Sequence, residues 1–187
     1  MTLTKSGAVH ATAMWYRDQM AWAVDRTDNS VVLTLGRGMV AFDVPADWAF
    51  RVRNRLERNG FCTPALLVGA RLVRAVFLAE ADGVVLGQFQ MPGDVRYLAA
   101  PCQIELPLLH VTAAQSRRWF CAPNPARRWL FPAGAVLAAV NAATPPPFKG
   151  AQPPDDRRST QPAHRVSPDQ RRASGRGHRR AACPASY

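Results

Sequence analysis

Residues 36–45 read Gly-Arg-Gly-Met-Val-Ala-Phe-Asp-Val-Pro, and this stretch decides the fold. Its two glycines are typical of a hairpin turn, and the apolar run after them predicts a strand. The strand carries one carboxylate, Asp43, near its end, and Pro45 stops the ladder because proline has no N–H to donate. α/β proteins often place functional acids where a strand ends beside a helix start. Asp43 is therefore the first candidate for a catalytic or metal-binding residue.

A basic amphipathic helix is predicted directly after this strand, because Trp48, Val52 and Leu56 recur every four residues. An Asn-Gly pair at 59–60 ends it, since glycine is favoured just beyond a helix C-terminus. The other predicted elements are a helix at 11–24, strands at 31–35, 39–44, 64–68, 72–78, 84–89, 97–99, 104–109, 117–121 and 127–131, and a helix at 133–143.

The order of these elements predicts an α+β fold. We expect one domain at 10–143, in which helices pack on a small mixed or antiparallel sheet, preceded by a flexible segment at 1–9. The Gly-Arg-Gly turn at 36–38 should join two strands of that sheet as a hairpin. An Asp-Gly turn at 82–83 should do the same for the strand that follows it.

The chain is strongly basic, with 24 Lys and Arg residues, 13 Asp and Glu residues and a formal charge of +11. This balance favours a polyanionic partner, nucleic acid before an anionic membrane surface. No apolar stretch is long enough to span a bilayer, and the N-terminal residues lack the pattern of a signal peptide. We therefore expect a cytoplasmic protein that binds nucleic acid and does not act at a membrane.

The cysteines form no closely spaced pairs. Such spacing predicts reduced, mostly buried thiols rather than a disulfide framework. The alternative is a zinc site, although zinc sites usually contain closely spaced ligand pairs. Its ligands would be Cys62, Cys102, His110 and Cys121.

Residues 144–187 differ from the rest in composition, with eight of the 16 prolines and nine basic residues against three acidic ones. Val166 is their only aliphatic residue other than alanine. A segment that buries so little apolar surface cannot offset its ordering entropy. We predict a disordered basic tail that adds salt-sensitive attraction to nucleic acid, or else a solvated extension with no partner.

Arg-Arg-Trp occurs twice, at 117–119 and at 127–129. Arginine neutralises phosphate, and tryptophan offers a face on which unpaired bases stack. On a strand, alternate side chains would place Trp119 and Cys121 on the same side. The alternative is that the tryptophans belong to the core and the arginines form a solvated rim. The predicted nucleic-acid-binding residues, including one face of the basic helix, are Arg51, Arg55, Arg58, Arg117, Arg118, Trp119, Arg127, Arg128 and Trp129.

Several motifs together suggest a family. They are the strand that ends at Pro45, the basic helix to Gly60, a strand at 73–79, Arg-Tyr-Leu-Ala-Ala-Pro at 96–101, and the first Arg-Arg-Trp followed by Phe-Pro at 131–132 and a last helix. Over residues 30–142 this order resembles the N-terminal bifunctional DNA primase–polymerase domain, and more closely its short, degenerate members in actinobacteria. The resemblance implies an RRM-like palm, a two-metal nucleotidyl transferase activity with Mg²⁺ or Mn²⁺, and DNA rather than RNA as the partner.

This sequence departs from the family at the catalytic positions. Asp43 matches the first acid of the family's Asp-x-Asp or Asp-x-Glu motif, but Pro45 stands at the second position and cannot bind a metal. The catalytic His has no counterpart, since the context of His110 does not match. Two divalent ions about 3.5–4 Å apart need bridging carboxylates. Substitutes would come from Asp47, Glu80, Asp82, Asp94 or Glu105.

Three hypotheses follow. The first is a primase–polymerase-like domain that has lost catalysis and binds nucleic acid or nucleotide. The second is an active nucleotidyl transferase that uses Asp43. The third is a small regulatory or interaction protein without a nucleic-acid role, in which the positive charge is compositional. For Asp43 itself, the alternative to a metal ligand is a helix-capping or turn acid before Asp47.

Overall fold

The computed structural model describes residues 4–60, 63–83, 91–109 and 117–145, which form three helices and eight strands. The helices are α1 (Lys5–Met20), α2 (Ala46–Arg58) and α3 (Ala133–Ala143), and the strands are β1 (Val24–Arg26), β2 (Val31–Thr34), β3 (Met39–Pro45), β4 (Ala65–Val68), β5 (Arg74–Glu80), β6 (Arg96–Leu98), β7 (Gln103–Leu106) and β8 (Arg117–Cys121). The named strands pair antiparallel with one another. The predicted α+β class, with helices packed on antiparallel strands, is confirmed.

The strands form two sheets rather than one. Sheet 1 has the order β1-β2-β7, and sheet 2 has the order β6-β3-β5-β4-β8. β3 lies inside sheet 2, where it pairs with β5 over its full length and with β6 through its central residues 41–43. Every residue from Val40 to Val44 is buried, so β3 is the strand around which the domain is built.

The predicted turn at 36–38 is present, but the prediction that it joins two strands of one sheet is wrong. Gly36 and Met39 exchange backbone hydrogen bonds of 3.2 and 2.9 Å, and Arg37 between them has a positive φ of 51°. β2, however, pairs with β1 and β7, whereas β3 pairs with β5 and β6. Alternate residues are fully buried in β2, as expected for a strand with one covered face, whereas consecutive residues are buried in β3, as expected for a strand covered on both faces. The two strands therefore suit different layers, and the turn forms a corner between the sheets.

Sheet 2 is the middle layer of the domain. On one face it packs against α2 and α3 in a helix-side core that includes Phe42, Trp48 and Leu137. On the other face it packs against α1 and sheet 1 in a sheet-side core that includes Tyr16 and Leu33. A sheet covered on both faces needs apolar residues on both sides of its strands, which explains the continuous apolar runs of β3 and β5.

The strands from β3 to β6 have the order of an RRM-like palm. Counted from β3 as the first, the four strands lie in the order 4-1-3-2, and α2 follows the first strand. Two features differ from such a palm. α3 follows β8, whereas an RRM-like fold has its second helix between the third and fourth strands. In addition, the face opposite the helices, on which RRM domains stack bases, is covered here by α1 and sheet 1.

The first helix begins and ends earlier than predicted. Thr4 caps its start, because the Thr4 hydroxyl accepts a 3.3 Å hydrogen bond from the N–H of Gly7. Residues 5–9, predicted to be flexible, are therefore helical. Ala21 ends the helix by adopting a left-handed conformation with a φ of 56°, which turns the chain into β1.

The predicted strand at 127–131 is absent. The turn before it is present, and a 2.8 Å hydrogen bond from the N–H of Arg127 to the carbonyl of Asn124 closes it. Pro125 and Pro132 flank the segment, and neither has an N–H to donate to a ladder. The segment therefore leads from β8 to α3 without forming a strand, and it meets sheet 2 at its end, where the N–H of Glu80 donates to the Phe131 carbonyl at 2.8 Å.

Several predictions concern residues outside the described ranges. These are the strand at 84–89, the metal ligands Cys62 and His110, and the disordered tail beyond residue 145. Within the described ranges, no helix combines the length and the apolar character that crossing a bilayer requires.

Tyr16 anchors α1 to the strands. Its hydroxyl donates to the Pro107 carbonyl at 3.0 Å and accepts from the Trp119 indole N–H at 2.9 Å. Its ring stacks on that of Trp22, with 5.6 Å between the ring centroids. Burial raises the pKa of the Tyr16 phenol, so the hydroxyl stays protonated and keeps its hydrogen for Pro107.

Tyr16→Phe should lower the free energy of unfolding by about 1–3 kcal/mol, since the Pro107 carbonyl and the Trp119 N–H would both lose their partner. Urea unfolding followed by far-UV circular dichroism measures this change. Tyr97→Phe is the matched control, because Tyr97 is half-buried and its hydroxyl donates to no other described residue. Equal losses in the two variants would contradict the anchoring role of Tyr16.

Candidate functional site

Asp43 lies near the end of β3, on the face of sheet 2 that carries the sheet-side core. The strand register places it directly opposite Arg96 of β6 and diagonally across from Arg74 of β5. Asp43 is only 4% exposed. It does not cap α2, since the start of that helix has no side-chain cap hydrogen bond. Two arginines from neighbouring strands thus meet one nearly buried acid.

Arg74 makes the closest contact with this acid. Its Nε lies 2.6 Å from Asp43 Oδ1, and its Nη2 donates to the carbonyl oxygens of Asp43 at 3.0 Å and of Asp94 at 2.7 Å. The Arg96 Nε is farther away, 4.0 Å from Asp43 Oδ2, and the Arg96 side chain is half exposed. Arg74 therefore ties β3 and β5 to the segment before β6, while Arg96 adds positive charge at the solvent side.

The charge of Asp43 depends on these arginines. Burial raises the pKa of Asp43 above its ordinary value, and the hydrogen bond and charge of Arg74, followed by the charge of Arg96, act in the opposite direction. The arginines therefore favour the ionised carboxylate inside the protein. The same positive charges repel a divalent cation from this position.

In the described part of the chain, no group of three His, Cys, Asp or Glu side chains is placed to hold a metal ion. Two of the acids considered as substitute ligands are engaged elsewhere. Glu105 Oε2 lies 3.0 Å from Arg117 Nη1, and Asp82 Oδ2 accepts a 3.0 Å hydrogen bond from the N–H of Gly134. The catalytic, metal-binding role of Asp43 therefore stays a prediction. Among the described residues, its ion-pair partners are the arginines Arg74 and Arg96.

The two Arg-Arg-Trp copies are used differently. Trp119 packs on the sheet-side core and donates its N–H there, and Arg117 forms an ion pair with an acid of β7, so both serve the fold. Trp129 is 84% exposed, and Arg127 and Arg128 before it are exposed as well. The second copy, and not the first, presents an open indole next to two cations.

A bulge in β8 changes which side chains share a face. Ala65 of β4 lies opposite Cys121, while its neighbour Leu66 lies opposite Trp119, so the strand has one extra residue, Phe120. Phe120 and Cys121 both contact the helix-side core, whereas Trp119 contacts the sheet-side core. The prediction that Trp119 and Cys121 share one side is therefore wrong.

The other arginines predicted to bind nucleic acid are open to solvent. Arg51, Arg55 and Arg58 of α2 are exposed, and so is Arg118 of β8. Of the predicted binding residues, a ligand can therefore reach these four and the second Arg-Arg-Trp copy. Arg117 and Trp119 are excluded because their side chains contribute to the fold.

Phe50 is a candidate that the sequence motifs do not single out. It is 63% exposed, and its ring meets that of Phe120 edge to face, with 5.0 Å between the centroids. The guanidinium of Arg53 lies 5.6 Å from the centroid of the Phe120 ring. A signal was present in the sequence, since Phe50 falls outside the four-residue spacing of the buried face of α2. The arginine partners of Asp43 gave no such signal, because strand register alone brings them together.

Comparison with known proteins gave no match: no protein-family model matches this chain, and no curated protein sequence or solved structure is significantly similar to it. Membership of the primase–polymerase family therefore stays a prediction. The fold and the site define an α+β domain with a buried acid–arginine cluster and an exposed surface of arginines and aromatic rings.

Arg74→Met should lower the free energy of unfolding by about 3–5 kcal/mol at neutral pH, because Asp43 would keep a buried charge without its main partner. The pKa of Asp43 should also rise further. A carboxyl whose pKa is higher in the folded than in the unfolded state destabilises the fold as the pH rises through that pKa. The variant should therefore regain stability in mild acid, which urea unfolding over the acidic to neutral range measures.

Asp43→Asn added to Arg74→Met removes the buried charge, and it should restore much of the lost stability and flatten the pH dependence. Arg53→Met is the control, since the Arg53–Glu57 pair is 39% and 40% exposed and such pairs contribute at most about 1 kcal/mol. A loss in Arg74→Met that does not change with pH would contradict this account of Asp43.

Proposed function

We propose that this chain contains a primase–polymerase-like domain that has lost catalysis and binds single-stranded nucleic acid, DNA in preference to RNA. The observation that carries the proposal is Trp129, which is 84% exposed and directly follows two exposed arginines. Stacking of a base on an aromatic side chain contributes about 1–3 kcal/mol and tolerates any base sequence. The arginines supply the phosphate contacts that such a stacking site needs.

The distribution of charge supports the same proposal. The exposed arginines lie on α2, on β8 and in the segment before α3, so positive charge is spread over several elements. The composition of residues 144–187 adds a formal charge of +6. Binding through many such charges releases counterions, so the affinity should fall steeply with salt.

The loss of catalysis is supported by the surroundings of Asp43. The resemblance implies paired carboxylates that hold two metal ions on the open face of a palm. Asp43 lies on the corresponding face of sheet 2, but it is 4% exposed, and its ion-pair partners are Arg74 and Arg96. The same face is covered by α1 and sheet 1. The nucleic acid is therefore proposed to contact the helices, the loops and the outer strand β8 rather than the covered face of sheet 2.

Trp129→Ala should weaken binding of the full chain to a fluorescein-labelled oligo(dT) by about 5- to 150-fold, which corresponds to the loss of one stacked base. Trp129→Phe should keep most of the affinity, because it retains an aromatic face. Fluorescence anisotropy gives the Kd values, and unfolding by urea should be unchanged since the side chain is exposed. Equal affinity of the alanine variant and the wild type would contradict the role of Trp129.

Two comparisons locate the binding. Oligo(rU) and duplex DNA of the same length test the preference for single-stranded DNA. A chain that ends at Pro145 separates the domain from the predicted tail, and it should bind more weakly with a shallower salt dependence while still responding to Trp129→Ala. If this shorter chain binds neither DNA nor RNA at low salt, the regulatory or interaction protein without a nucleic-acid role becomes the better hypothesis.

Primer extension with Mn²⁺ or Mg²⁺ tests whether catalysis survives. We expect no nucleotide incorporation that depends on Asp43, because a lone acid beside two cations is a poor ligand for paired metal ions. Asp43→Asn is the appropriate comparison, since it preserves the shape of the side chain. Incorporation by the wild type that this variant abolishes would establish an active nucleotidyl transferase instead.

A further inference from the structure

The contact between α2 and β8 forms an exposed surface, here called the Phe50 platform, that consists of Phe50, Arg51, Arg53, Arg118 and Phe120. We propose that the Phe50 platform is a second base-stacking site for single-stranded nucleic acid. This inference rests on the proposed function and extends it from the loop around Trp129 to the edge of sheet 2.

The aromatic part of the platform is both exposed and held in place. Phe50 is 63% exposed, although it lies on a helix whose other large apolar side chains are buried. Its ring meets Phe120 edge to face, at an interplanar angle of 89°. Phe120 in turn contacts Phe77 of the helix-side core, with 6.4 Å between the ring centroids. A ring supported from below by a second ring is favourable for stacking, because less side-chain entropy is lost when a base binds.

Three arginines lie close to these rings in space or in sequence, and one of them is paired with a carboxylate. The guanidinium of Arg53 lies over the Phe120 ring and is fixed there by a 2.6 Å contact with Glu57. Arg51 is exposed next to Phe50 in the chain, and Arg118 is exposed two residues before Phe120. Leu67, which lies opposite Arg118 in the strand register, packs on the helix-side core as Phe120 does, so Arg118 and Phe120 lie on the same face of sheet 2. Cationic groups thus come from both the helix and the strand.

This combination of groups favours nucleic acid over an apolar protein partner. A nucleic acid strand offers a planar ring and a phosphate in every nucleotide, which match an aromatic ring flanked by arginines. An apolar protein surface would remove water from the guanidinium groups without supplying opposite charge, and this desolvation is unfavourable. The platform therefore complements a single strand in both shape and charge.

Phe50→Leu is the main test variant, because it keeps apolar contact with Phe120 but removes the aromatic face. In the full chain it should raise the Kd for fluorescein-labelled oligo(dT) by about 5- to 150-fold and leave the Kd for duplex DNA nearly unchanged. Phe50→Trp should bind at least as tightly as the wild type. Leu72→Ala is the matched control, since Leu72 is an apolar side chain that is 76% exposed elsewhere on the domain.

Photocrosslinking gives a second measurement that does not depend on affinity. Oligo(dT) that contains 5-iodouracil should crosslink to Phe50 in the wild type, and mass spectrometry of the peptides locates the bond. One outcome separates the two proposals. If Trp129→Ala weakens the binding of oligo(dT), but Phe50→Leu leaves it unchanged and no crosslink forms on α2, then the Phe50 platform does not bind bases and the proposed function stands. If the wild type does not bind oligo(dT), both are wrong. Equal weakening of duplex binding, or tighter binding to an acidic peptide than to oligo(dT), would also overturn the stacking site.

Discussion

β3 is covered on both faces, and this constraint shapes the rest of the domain. Apolar side chains are favoured on both faces of such a strand. Its one charged residue, Asp43, therefore needs an oppositely charged partner within the protein to offset the loss of hydration. Arg74 supplies it from the neighbouring strand β5 at 2.6 Å, and the Nη2 of the same guanidinium also donates to the carbonyl of Asp94. An acid at a position typical of catalysis thus links two strands of the sheet. The second cation near it, Arg96, is half exposed.

The parts of the fold that local sequence determines were predicted well. α3 has the predicted bounds, and α2 and β3 have them to within about two residues, since amphipathic spacing, prolines and glycines mark them directly. The division into two sheets was missed, because the turn at 36–38 specifies the local backbone path but not the partners of the strands on either side of it. The strand expected at 127–131 failed for a related reason. Its composition suits a strand, yet its flanking prolines limit pairing and β8 already occupies that side of β4.

The sequence predicted a candidate site residue only where the residue type and its position in the chain were enough to identify it. Asp43 stood out in the sequence, but its arginine partners depend on strand register, which a single sequence does not specify. The two Arg-Arg-Trp copies show the same limit, since identical tripeptides place a half-buried indole against the core in one case and an exposed indole in the other. What lies across from each copy decides its role: Tyr16 receives the N–H of Trp119, whereas Trp129 is left 84% exposed.

β8 is the last strand of sheet 2 among the described residues, and its extra residue disfavours backbone pairing with a strand of another copy. A bulge interrupts the even spacing of backbone donors and acceptors and increases the local twist. A strand from another molecule would therefore not match this ladder over more than a few residues. The exposed Arg118 near the beginning of β8 adds charge where natural proteins use it to discourage edge-to-edge association. β8 is an outer strand that could otherwise pair with strands of other molecules, and its bulge and charge disfavour such pairing.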